Sequence, residues 1–594
     1  MNMTRHTPAL NHVIRLGLGL FLPAALLAQN PKVTVDANQT VRTVDERVFG
    51  LNATLWDPQA SSAATVSLLQ AAGVRMIRVP GGSLSDEYHW RTNTNLGNTW
   101  TWSTGFDGFV KLITGVDTQA VVTVNYGTGT PEEAAAWVAY ANASETATPA
   151  TLGNTIGRDA KGYDWQTVAT WANLRAATPL ATDDGMNFLR LGRAAAVGVK
   201  YWEIGNECYG SWETDEQPFA HDPGTYANRA KDYITKMKAV DPSIKVGVVV
   251  INGTQYNNWT KTVLTRLHSL NVTPDFVIYH RYEQAPAADQ PNNPESDAGL
   301  LQKAKTWPDD AADLRQQVNS AFGTAGAGIE IVVTENNSVY SQPGKQTTSL
   351  VNGLYYADSV ANVMQTEING LLWWDLRNGQ DHGNNNSAAL YGWRTYGDYG
   401  ILSTPSTGGS TGYTDAYPTY YVMKLLSNFA RDGDKVIKAT SDNTLLAAFA
   451  IKQPGGGLRL LFINKDPVTT LTATVALQNF LTASPANVYS YGIPQDDAAK
   501  PNGTGSKDIA TSSLNVMSPS FSASFAPYSV TVIALSPSNG TVTLPTPTGS
   551  TPQPPTTPSS GGSGGGGGGG GALEGWFLAA LAGLGLARKL LRSR

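Results

Sequence analysis

At 594 residues the chain exceeds what one ordinary core accommodates, so at least two domains are expected, although a single (β/α) barrel would account for most of its length. Hydrophobic residues at 41% supply a sizeable core. Charged residues at only 15%, with a formal net charge of -5, give no basic surface to neutralise phosphates and exclude nucleic acid as an expected partner.

In chain order, Arg5 and Arg15 flank and precede an apolar run over 16–27 that ends at Ala28, the pattern of a secretory signal peptide over 1–28. Residues 29–47 form a β segment free to join a later sheet. From 48 to 430, short apolar runs alternate with helical patterns. The runs are "RVFGLN", "VRMIRVP", "AVVTVNY", "VKYWEI", "IKVGVVVI", "PDFVIYH", "IEIVVTE" and "INGLLWW". Eight nearly continuous apolar strands with helices between them predict the α/β class and a (β/α)8 TIM barrel. Tyr226, Ala230, Tyr233, Met237 and Val240 recur at helical spacing and predict one buried stripe. "TPEEAAAWVAYAN" predicts a helix with Thr130 at its N-cap, Pro131 at its first position and Glu133 closing a capping box. No G-x-G-x-x-G follows the first strand, and "GTAGAG" at Gly323 precedes a strand, so it is read as a turn.

Residues 431–536 change to strand runs with short turns and no helices, a trailing all-β sandwich. Pro, Thr, Ser and Gly dominate 537–571, a linker with nothing to bury. The end, 572–594, is a short apolar stretch followed by Arg588, Lys589, Arg592 and Arg594. Its layout resembles the glycine-tract C-terminal sorting tags that surface-exporting Gram-negative bacteria clip off. Transient or permanent membrane contact and a secreted or surface location are therefore expected. The lone Cys208 means that export brings no disulfide framework.

Barrel chemistry sits at the C-terminal ends of the strands. Strand four ends in Asn206 and Glu207; strand seven ends in Glu335. Two carboxylates facing one another across a barrel mouth are what cleavage of a glycosidic bond with retention requires. Glu203, four residues earlier, and Glu330, at the opposite end of strand seven, are expected to be structural ion-pair partners. Arg78, at the end of strand two, would favour an ionised Glu335, and the "PGG" that follows lets the backbone approach a ligand. Period-two alternation puts His280 and Tyr282 on one side of strand six, where the Tyr hydroxyl would orient a carboxylate. Trp373 and Trp374 end strand eight and are candidates to floor the pocket. No His, Cys or Asp cluster has metal-ligand spacing, so neither metal nor cofactor is expected.

These features are similar to clan A glycoside hydrolases. "RVPGGSLSDEYHW", "GNECYGSW" and "VVTEN", with the trailing sandwich, most resemble the family 51 α-L-arabinofuranosidases over roughly residues 45 to 535. The resemblance implies Glu207 as acid/base, Glu335 as nucleophile, Asn206 as partner of the sugar 2-hydroxyl, and Arg78 and Tyr282 as supports of the nucleophile. Ser83 stands where the family usually has Asn, and Asn336 where an aromatic residue commonly follows the nucleophile. Family 44, 39 and 79 enzymes share much of this frame. Three readings stay open: an exo-acting arabinofuranosidase, an endo-acting glucanase or xylanase, and a surface carbohydrate-binding protein without catalysis. The loops over 283–307 and 378–417 are long enough to close a pocket or leave a groove.

Overall fold

The computed structural model describes residues 30–538 apart from 97, 100–103 and 406–411. The expected signal peptide, the C-terminal segment and all but the first two residues of the linker lie outside the described residues. No described helix is long and apolar enough to cross a membrane.

Eight parallel strands close into a barrel: β1 (Gly50–Asn52), β2 (Met76–Val79), β3 (Gln119–Val124), β4 (Tyr201–Ile204), β5 (Lys245–Val249), β6 (Phe276–Gln284), β7 (Glu330–Val339) and β8 (Gly370–Trp373). Each pairs with its neighbour in sequence, and β8 returns to β1 through Trp373 opposite Leu51. Strands walled by helices outside and by the barrel interior inside must be apolar on both faces, which is why the eight runs lack alternation. Gly323–Gly328, read from the sequence as a turn, winds into a short 3-10 helix one residue before β7.

Around the barrel, the helix Pro223–Val240 buries Tyr226, Ala230, Tyr233, Met237 and Val240, and its N-cap Asp222 accepts from the Thr225 amide at 2.6 Å. The helix Pro131–Asn142 starts as expected, with the Thr130 hydroxyl accepting from the Glu133 amide at 3.2 Å. Its capping box does not close. The Glu133 carboxylate instead meets His89 Nδ1 at 3.0 Å, because a histidine on the loop after β2 offers a stronger partner than a backbone amide.

The trailing domain is one nine-stranded sheet. The leading strand Lys32–Thr43 lies inside it, antiparallel to Lys435–Ser441 and parallel to Leu471–Gln478. Phe462 and Phe525, on strands far apart in the sheet order, stack at 4.3 Å, so the sheet curls over on itself around a core that includes Val33, Leu460 and Val475. One departure from the all-β expectation is the short helix Ile493–Ala498, which begins with Pro at its first turn and directs Asp496 toward the barrel. The opposite face of the sheet, through Leu461, Ile463, Val530 and Val532, belongs to the same apolar core as the barrel helices.

Candidate active site

The loop after β4 turns on Gly205, with φ of 73°, and Glu207, with φ of 42°. A left-handed glutamate is uncommon, and here it aims the carboxylate across the barrel mouth. The loop is held from below by Asp86, a fully buried carboxylate that accepts from the amides of Asn206 at 2.9 Å and Tyr126 at 3.0 Å. Burial pushes the Asp86 pKa up to about 7 against those hydrogen bonds.

Arg78 is the hub beneath the site. Fully buried, it donates to Glu335 Oε1 at 2.7 Å, to Asn206 Oδ1 at 2.7 Å and to Asn52 Oδ1 at 3.1 Å, and it pairs with Glu203 inside the barrel. Glu203 is thus the buried ion-pair partner that its position in mid-strand suggests. Glu330, at the other end of β7, pairs with Arg47 at 2.6 Å and also with Lys245.

The second oxygen of Glu335 accepts from the Tyr282 hydroxyl at 2.7 Å. Glu207 has a different donor set: Trp212 Nε1 at 2.8 Å on one oxygen, and the Tyr209 hydroxyl at 3.2 Å with His280 Nδ1 at 3.0 Å on the other. A register shift between Tyr279 and His280 sets His280 opposite Glu335 in the sheet, with Nδ1 3.5 Å from Glu335 Oε2. The imidazole therefore lies between the two carboxylates. Ligand atoms of Glu207, His280 and Glu335 all fall within 4.8 Å of one another.

Burial opposes the charged form of His280, but the Glu335 charge and the hydrogen bond and charge of Glu207 outweigh it and raise its pKa. Burial alone would raise Glu207; the hydrogen bond and charge of His280, with the Trp212 and Tyr209 donors, bring its pKa below the ordinary carboxyl value. The opposite directions of the two shifts favour a charged imidazole beside an ionised carboxylate. The same three residues are the one group of His and carboxylates among the described residues close enough together that it could hold a cation. They come from three strands, so no sequence spacing announces them.

A cavity of about 540 Å³ opens above these groups and is lined by Ser83, Asn206, Glu207, His280, Tyr282, Glu335 and Trp374. Gly82 makes room for Trp374, since a Cβ there would meet the indole at 2.4 Å. Trp373 does not reach the cavity. Alternation along β8 turns it outward, where it is fully buried against Tyr355 and Tyr356 of the helix Leu350–Val363. Asn336, beside the nucleophile candidate, is likewise buried and donates to the Arg281 carbonyl at 2.9 Å.

Glu213, Tyr209 and Trp212 are site residues that sequence reasoning missed. The Glu213 carboxylate accepts from Ser83 Oγ at 2.7 Å and from Asn206 Nδ2 at 3.0 Å, joining the loops after β2 and β4. The only signal for them was proximity to Glu207 within "GNECYGSWE".

No family model matches the sequence. Over 188 residues the chain is 28% identical to a probable alpha-L-arabinofuranosidase C of Aspergillus flavus, covering 30% of each chain. With an intracellular exo-alpha-(1->5)-L-arabinofuranosidase of Bifidobacterium longum it shares 24% identity over 232 residues, 36% of this chain and 34% of that one. The chain thus spans about a third of the length of the curated relatives it matches. Among solved structures, an alpha-L-arabinofuranosidase from Thermotoga maritima in an arabinose complex superposes with a TM-score of 0.62 at 19% identity, over 85% of this chain and 99% of that one. A family 44 endoglucanase from Clostridium thermocellum gives 0.56 at 13% identity, over 86% and 100%. These likenesses establish the fold, a TIM barrel with a separate β-sheet domain.

Proposed function

We propose that this chain is a retaining glycoside hydrolase, an α-L-arabinofuranosidase acting on plant-type polysaccharide or oligosaccharide, with Glu335 as nucleophile and Glu207 as general acid/base. The observation that carries the reading is the separation of the two carboxylates: oxygens within 4.8 Å of one another leave no room for an intervening water. Their donor sets support the division of labour. Glu335 is clamped by Arg78 and Tyr282, whereas Glu207 lies in hydrogen-bond contact with His280, a group able to pass it a proton. In the first step Glu335 attacks the anomeric carbon while Glu207, supplied with a proton through His280, delivers it to the leaving oxygen. In the second, Glu207 takes a proton from water, and the water releases the sugar from Glu335.

Exo action is supported by the loops. Asn385, in the loop after β8, donates to Glu295 at 2.7 Å, and the Tyr391 amide donates to Asp297 at 2.6 Å, tying the β6 and β8 loops together across the end of β7. Beside Glu335 the cavity is lined by Tyr340, Ser341 and Gln342 of the segment after β7 and by Trp374 and Tyr399. The test is hydrolysis of aryl α-L-arabinofuranosides with the product anomer followed by NMR in the first minutes. Retention is expected; net inversion would overturn the assignment of Glu335, and release of internal fragments from an unsubstituted backbone would favour an endo enzyme. For location, the two ends of the sequence support export followed by clipping near the glycine tract. Intact mass of the secreted protein tests this: an end before Ala572 is expected, and a chain ending at Arg594 in the membrane fraction would mean a permanent anchor.

A further inference from the structure

The leaving-group oxygen is the atom that Glu207 protonates, so whatever is attached to it must lie against the neighbours of Glu207. Those neighbours form an aromatic cluster. Tyr209 and Trp212 donate to the Glu207 carboxylate, and both touch a third ring, Tyr256, from the loop after β5. Tyr256 stacks on Tyr209 at 4.7 Å with 29° between the ring planes and meets Trp212 edge-on at 6.0 Å. Tyr209 is buried beneath the stack, while Tyr256 is half-buried and lines the cavity.

The backbone that carries Tyr256 is unusual. Tyr256, Asn257 and Asn258 occupy the left-handed region in succession, with φ of 47°, 59° and 55°. Asn tolerates this conformation better than Tyr, so the turn is held in place by its surroundings, and its effect is to bring one ring over the Glu207 side of the cavity. Asn252 and Gln255 stand beside the ring with amide groups of both polarities, and Glu283, Asp310 and Arg281 on the adjoining wall sum to one net negative charge. A flat apolar face, bordering amides and a mildly acidic wall fit a neutral sugar ring and not a uronic acid.

We propose that Tyr256 is the platform of a leaving-group subsite for a neutral sugar. This rests on the glycosidase reading above. Two measurements on the full chain separate the ideas. In a Glu335→Gln background, calorimetry should show arabinofuranosyl-xylotriose bound about tenfold more weakly once Tyr256→Ala is added, with the affinity for free arabinose unaltered. Equal affinity for the oligosaccharide with and without the ring overturns the platform, even if the enzyme proves an active glycosidase. Tyr256-dependent binding in a chain that cleaves no glycoside would instead overturn the glycosidase reading and keep the platform. With an aryl arabinofuranoside as donor, the partition of the glycosyl-enzyme between added xylotriose and water should fall about tenfold in Tyr256→Ala and be largely restored in Tyr256→Trp. A displaced Glu207 would slow attack by sugar and water alike, so an unchanged partition overturns the proposal.

Discussion

The Glu335 carboxylate is held by a buried cation and a tyrosine hydroxyl, and the Glu207 carboxylate by two ring donors and an imidazole. Loss of Glu335 removes the covalent intermediate, so Glu335→Ala should abolish turnover of every glycoside, and azide should restore product of inverted configuration. Glu207→Ala should lose about 10²–10⁴-fold on natural leaving groups and far less on activated aryl glycosides, with azide giving retained product. NMR of the azide adducts distinguishes the two variants, and the reverse pattern would exchange the roles. His280 sets the pH range. The His280–Glu207 pair keeps its one proton until pH rises through the raised histidine value, above the ordinary 6.5. The alkaline limb of kcat/KM should therefore lie above that value. In His280→Gln the proton must sit on Glu207 alone, so the limb should move down by about a unit or more toward the carboxyl range. A limb that stays in place would show that the pair does not share its proton.

At the level of elements, the end of β8 is the most demanding segment. Asp375 follows Trp374, exchanges backbone hydrogen bonds with Tyr399 and Ile401, and is fully buried with neither carboxylate oxygen hydrogen-bonded among the described residues. Arg377 nearby is spent on Asp57 at 2.8 Å. Burial, with the charges of Asp398, Asp57 and Glu335, pushes the Asp375 pKa well above 3.8. The folded chain thus binds a proton that the unfolded chain gives up near the ordinary value. Stability then falls as pH rises from about 4 toward the native pKa, the opposite of the usual paired carboxylate. Asp375→Asn removes this term, so its melting temperature should gain on the parent progressively between pH 4 and 8. A constant offset across that range would mean that Asp375 is ionised in the fold.

For the whole molecule, the junction of barrel and β domain is part of the core. Tyr421 and Tyr491 stack across it at 5.3 Å, and Lys465 of the β domain pairs with Asp358 of the helix Leu350–Val363 at 2.5 Å, both nearly inaccessible. A buried pair is worth little net of desolvation, but removing one partner leaves a lone buried charge. Lys465→Met should cost about 3–5 kcal/mol in denaturant unfolding, and the double variant Lys465→Met with Asp358→Leu should recover most of it. Equal losses in single and double variants would show that the packing, not the charge, is what the junction depends on. Asp496 adds a second tie, accepting from Tyr391 and Trp393 in the loop after β8.

The sequence by itself determined the architecture, because strands buried on both faces must be apolar throughout and eight such runs with helices between them close in one way. It also singled out Glu207 and Glu335, although β4 stops at Ile204 with Glu207 on the loop beyond it, and β7 runs past Glu335 to Val339 because its polar residues stay paired with β6. The membership of Lys32–Thr43 in the β domain was open from its composition and was decided by pairing with strands more than 390 residues away. The contact between His280 and Glu207, the bracing of Ser83 and Asn206 by Glu213, and the outward turn of Trp373 were decided by the tertiary structure alone. Each depends on which side chains from different strands and loops arrive at the same point, and that follows from barrel closure and register, which no window of sequence contains.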